Sequence, residues 1–66
     1  MGKRYVKELA NDVLREIPDL KENESDKKVI VATVILAKRG LITDFEAVRD
    51  IMNIYEKCRW RGNNES

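Results

Sequence analysis

The chain has 66 residues, 13 basic and 12 acidic, so its formal net charge is only +1 although 38% of its residues are charged. A chain this short buries only ~60% of its unfolded surface and usually needs a disulfide, a metal or a partner chain for stability. One cysteine, Cys58, excludes an internal disulfide, the absence of histidine removes the familiar zinc sets, and the balanced charge points to no polyanionic partner.

Association with a second chain is the remaining route, and a homodimer is the expected form. The start of the sequence lacks the apolar core of a signal peptide. The uncharged apolar block at 29–37 has nine residues, against the ~20 needed to span a bilayer. Val6 stands where a myristoylation motif requires Ser or Thr. A free thiol without an export signal fits a cytoplasmic protein with no membrane partner.

A first helix is predicted over 3–17. At about 100° per residue, Val6, Leu9, Ala10, Val13, Leu14 and Ile17 share one arc, and Glu8, Asn11, Asp12 and Arg15 lie opposite. Pro18 disfavours helical geometry at Ile17 and ends the helix there. The polar stretch 19–26 reads as a loop, with Asn23 or Ser25 as the N-cap of the next helix. Glu22, Glu24 and Asp26 suit the positive end of that helix's dipole.

The second helix is predicted over 26–39 and stops at Gly40, in the usual left-handed position after a helix. Six of the eight residues from 29 to 36 are β-branched, so a buried strand is the rival reading. Helix is preferred because Ala37-Lys38-Arg39-Gly40 reads as a helix end and no second strand lies nearby to pair. Val29, Ile30, Thr33, Val34, Leu36 and Ala37 form its expected core arc. Val31 and Ile35 point away, one turn apart, framed by Lys27, Lys28, Lys38 and Arg39.

Thr43-Asp44-Phe45-Glu46 is a capping box, with Leu41 or Ile42 available as a hydrophobic staple. The third helix follows over 44–59, with Phe45, Val48, Ile51, Met52 and Tyr55 on its apolar arc and Ala47, Ile54 and Cys58 at the edges. Residues 61–66 read as a flexible tail beyond a single domain of 1–60. Three helices with short connections imply an all-α, up-down-up bundle, completed by dimerisation.

The run from Ala37 through Gly40-Leu41-Ile42-Thr43 to Glu46 resembles the helix-Gly-x-Ile-Thr-x-x-Glu-helix turn of short bacterial and phage modules such as the SHOCT type. The resemblance covers about ten residues, a helix stop followed by a capping box. It implies a helical hairpin and assigns the chain to no family.

No catalytic constellation emerges. Cys58 has no histidine to activate it and reads as a small core residue. Asp19, Glu22, Glu24 and Asp26 lack the central glycine and distal glutamate of a calcium loop, and Lys21, Lys27 and Lys28 offset their charge. The glycines at 2, 40 and 62 are isolated, so no phosphate loop exists. The chain is therefore expected to be no enzyme and to need no cofactor, metal or small-molecule substrate. As a DNA-reading element the third helix fails, because Glu46, Arg49, Asp50, Glu56 and Lys57 give its polar face a net charge of minus one.

Binding remains. An up-down-up bundle brings Lys3, Arg4 and Lys7 near Lys38 and Arg39, a basic end that a phosphate backbone or an acidic protein would recognise. At the opposite end Lys57, Arg59 and Arg61 approach the acidic loop. Trp60, between two arginines, is either a binding anchor or a cover for the bundle end. Val31 and Ile35, an apolar centre with a charged rim, have the layout of a contact surface. The leading expectation is a protein-binding module, an accessory regulator or inhibitor of the kind phages and plasmids carry, using Val31, Ile35, Arg59, Trp60 and Arg61. The alternative is a nucleic-acid-binding regulator using Lys3, Arg4, Lys7, Lys38 and Arg39.

Overall fold

Pro18 and Gly40 divide the chain into three helices: α1 (Gly2–Glu16), α2 (Glu24–Lys38) and α3 (Asp44–Asn64). The computed structural model describes residues 2–64, and side chains for residues 5–60. Every pair of helices packs together, and the molecule measures 39 × 17 × 16 Å along its principal axes. Lys7 of α1 and Lys38 of α2 line one surface groove, and Lys57 of α3 reaches Asp26 of α2, so neighbours run antiparallel. The β-branched block 29–36 is helical, and there is no strand among the described residues.

A narrow seam holds the bundle together. The most buried positions are Val6, Ala10, Val13 and Ile17 on α1, Ile30, Thr33 and Ala37 on α2, and Ala47, Ile51 and Cys58 on α3, with Ile54 packed beside them. Their spacing alternates between three and four residues on every helix, the pattern of a coiled-coil seam. Small residues sit at the seam on each helix (Ala10, Ala37, Ala47 and Cys58), which lets the backbones approach closely. Thr33 joins it because its hydroxyl donates to Val29 O at 2.8 Å, leaving its methyl for packing.

The seam corrects three expectations. Phe45, placed on the apolar arc of the third helix, is 75% exposed, whereas Ala47, placed at its edge, is fully buried. The core direction of α3 thus lies roughly 80° round the helix from the centre of the bulky residues. Val29 and Leu36, assigned to the core of α2, are 48% and 39% exposed. Side-chain size did not decide which face turns inward; the 3–4 register shared by the three helices did.

The connections are built by hydrogen bonds of two kinds. After α1, Leu20 N–H donates to Pro18 O, and residues Lys21–Asn23 form a short 3-10 turn that leads directly into α2. Asn23 occupies the N-cap position but makes no side-chain capping bond. Its side chain is fully buried instead, and Nδ2 donates to Pro18 O at 3.0 Å. Ser25, the other candidate cap, lies inside α2.

Gly40 ends α2 in the left-handed region, with φ +78°. Gly40 N–H donates to Ala37 O at 3.0 Å and Leu41 N–H to Leu36 O at 2.9 Å, the paired bonds of a Schellman motif. The capping box forms as expected: Glu46 N–H donates to Thr43 Oγ1, and Thr43 N–H donates to Glu46 Oε1, both at 3.1 Å. Leu41 is exposed, so the candidate staple role falls to Ile42, which packs against the core. α3 continues to Asn64, past the expected end near Arg59. The flexibility expected of 61–66 concerns side chains outside the described residues.

Candidate docking groove

A seam of one residue in every three or four uses only part of an apolar helix face. α2 is apolar well beyond its seam, and its amphipathicity is weaker than that of α1. Val31 and Ile35 lie roughly 100° and 140° round the helix from Ile30, on the flank turned towards α1. There they meet a matching shoulder of α1. Between the two helices runs a groove of about 460 Å³, lined by Lys7, Ala10, Asn11 and Leu14 from α1 and by Val31, Val34, Ile35 and Lys38 from α2. Ala10 is part of the buried seam and Val34 and Leu14 pack against it, while Val31 and Ile35 stand 48% and 46% exposed.

Among the described residues the charges of the groove are all of one sign: Lys7 and Lys38 are its only ionisable lining residues. Neither takes part in an ion pair among the described residues, whose ion pairs are Arg15–Asp12, Lys27–Asp19, Arg49–Asp50 and Lys57–Asp26. The groove thus combines an apolar floor with two free ammonium groups.

The groove unites residues from both expected site sets. Val31 and Ile35 come from the protein-binding set; Lys7 and Lys38 come from the basic set. Asn11, Leu14 and Val34 are additions, because angular counting on one helix does not show which flank of a second helix it faces. Arg39 is exposed and caps α2, its N–H donating to Ile35 O at 3.0 Å. Arg59 and Trp60 are exposed on α3, Trp60 at 67%, and neither lines the groove. The side chains of Lys3, Arg4 and Arg61 lie outside the described residues.

At the far end of α2 the polar groups are matched internally. Asp26 is the centre: its Oδ1 accepts from Lys57 Nζ at 3.2 Å, and its Oδ2 accepts from the Cys58 thiol at 3.5 Å. Lys27 Nζ lies 3.5 Å from Asp19 Oδ1. Cys58 is fully buried there, so it is a packed core residue with a hydrogen bond. Among the described residues no buried side-chain nitrogen or oxygen lacks a partner, and no group of three or more acidic or cysteine side chains is placed to hold a metal.

At the start of α3, Glu46 is held below its ordinary pKa. The main cause is the backbone hydrogen bond from Thr43, followed by the Thr43 hydroxyl, with a smaller contribution from Arg49. It serves the helix terminus. Among the described residues no helix is long and apolar enough to cross a membrane. Comparison of the chain with protein-family models, with curated proteins and with solved structures finds no match in any of the three.

Proposed function

We propose that this chain is a non-enzymatic protein-binding module, an accessory regulator or inhibitor whose working surface is the groove between α1 and α2. The observation that carries the reading is the half-exposed pair Val31 and Ile35 beside that groove. Covering a fully exposed aliphatic side chain is worth ~1.5–3 kcal/mol, so two half-exposed ones supply a substantial part of a docking energy. In a domain of this size the same exposure is a standing cost unless a partner removes it. The partner is a protein face, in the cytoplasm, and a second copy of the chain is one candidate for it. Arg59, Trp60 and Arg61 form a separate candidate contact at the other end of the molecule.

The nucleic-acid reading rests on the cationic pair Lys7 and Lys38, with Lys3, Arg4 and Arg39 as further candidates. Its contacts would be to phosphate, and affinity would fall steeply with salt. The two readings separate in one experiment. Wild type, Ile35→Asp and a Lys38→Ala/Arg39→Ala variant are used as baits in the cell of origin, and captured protein and nucleic acid are quantified at low and high salt. The proposal expects a protein that survives high salt on wild type and on the lysine–arginine variant, and that is lost from Ile35→Asp. Capture of nucleic acid that disappears with salt and with the basic residues, but not with Ile35→Asp, establishes the other reading.

A further inference from the structure

We propose that the groove takes an acidic amphipathic helix of another protein, seated as a fourth helix with its carboxylates over Lys7 and Lys38. The inference rests on the groove being the docking surface and goes further by naming what fills it.

Shape gives the first argument. The groove lies between two antiparallel helices and runs from Val31 to Lys38 on α2, about two helical turns or roughly 10 Å. A slot between antiparallel helices is the place where a fourth helix completes a bundle, its apolar residues recurring every three or four positions.

Charge gives the second argument and selects among helices. Among the described residues both ionisable lining residues are lysines, neither is in an ion pair, and no carboxylate lines the groove. Both lysines also lie at one end, because Lys7 is near the start of α1 and Lys38 ends α2. A complementary helix therefore carries its acids at one end. A helix dipole favours acids at the N-terminus, so the bound helix starts at Lys7 and Lys38 and runs parallel to α1.

The same charges disfavour a second copy. An isologous pairing of α2 centred between Val31 and Ile35 sets Lys38 opposite Lys28 of the other copy when antiparallel, and opposite that copy's Lys38 when parallel. Either arrangement adds like charge to an unpaired lysine, whereas acidic side chains neutralise it.

The test is a displayed library of 16-residue amphipathic helices with fixed apolar anchors and randomised remaining positions, selected against the full chain. The expected pool is enriched in Asp and Glu at its N-terminal turn, binds Ile35→Asp at least tenfold more weakly, and binds Lys7→Glu/Lys38→Glu about tenfold more weakly. Selection against that double charge variant should return basic helices instead. Circular dichroism checks that each variant is folded; the lysine variants alter exposed residues and keep the test usable should Ile35→Asp unfold. An enriched pool without acidic bias, but still dependent on Ile35, overturns the charge assignment and leaves the groove as the docking surface. A pool indifferent to Ile35, or no enrichment from a chain that is monomeric by sedimentation, overturns the groove itself. A concentration-dependent dimer that Ile35→Asp dissociates makes a second copy the occupant and overturns this proposal.

Discussion

The two ends of α2 are held by different means. Where α2 begins, Asp26 joins Lys57 and Cys58, 31 and 32 residues away in sequence, and the Asn23 side chain reaches back to the carbonyl of Pro18. Where α2 ends, the bonds are local: the Schellman pair at Gly40 and Leu41, and the capping box of Thr43 and Glu46. The first end uses its polar groups on itself. The second is ordered by local backbone and capping bonds, with Lys7 and Lys38 in no ion pair among the described residues and Val31 and Ile35 half exposed. Long-range polar bonds and exposed apolar and cationic side chains thus lie towards opposite ends of one helix, and if the groove binds as proposed, a binding surface does not require a loose end.

Ile30 and Ile35 measure this contrast most sharply, since the same side chain is fully buried at one position and 46% exposed five residues later. Ile30→Ala should cost about 2–5 kcal/mol, because it opens a cavity in the seam. Ile35→Ala should cost about 1 kcal/mol or less, since no enclosed cavity results and alanine is the better helix former. Urea midpoints of the two variants check this; equal losses would mean that the groove flank is core.

Next in size is Asn23→Ala, expected to cost about 1.5 kcal/mol, since it deletes a buried hydrogen bond to Pro18 O, which retains its bond from Leu20 N–H. Partner binding at the groove should be unchanged, so a stability curve and a binding isotherm together separate the two ends. Thr43→Ala removes a helix cap at the groove end and should cost about 1 kcal/mol. Its effect should be confined to faster amide exchange in the first turn of α3, with the Asp26 cluster still protected.

The smallest effect is a response to acid. Glu46 has a folded pKa below its unfolded value, so its contribution is complete above the unfolded pKa and is lost as pH falls through the lower, folded one. Acidification below the usual glutamate range should therefore speed exchange of the Thr43 amide first, because that amide donates to the Glu46 carboxylate, and Glu46→Gln should remove most of that pH dependence.

Much of this was legible in the sequence, for physical reasons that can be named. Pro18, Gly40 and the Thr43–Glu46 box act through bonds a few residues long, so the helix boundaries and the antiparallel order follow from them. The exposure of Val31 and Ile35 follows from angle alone. Phe45, Val29 and Leu36 lie at the edges of apolar arcs that are wider than the seam the three helices use, so angle and hydrophobicity alone do not expose them. The signal that sequence bulk hides is the alternation of three and four that continues from Ala10 and Ala37 through Ala47 and Cys58 on the third helix, which decides which faces can approach. Asn23 was misread because its side chain serves a carbonyl five residues back, a choice that local capping preference does not contain. The approach of Lys7 to Lys38 follows from the up-down-up order; that Val31 and Ile35 line the same groove needed the third dimension.

Cys58 offers a practical handle. Its sulfur is the only one of its kind in the chain and is fully buried against α2 beside Asp26. A thiol reagent can reach it only when that part of α3 lifts away. The rate of modification is then a clock for opening at that end alone, read by mass spectrometry on the unaltered protein. Occupying the distant groove should slow this clock if the bundle opens as one unit, and leave it untouched if the two ends come apart independently.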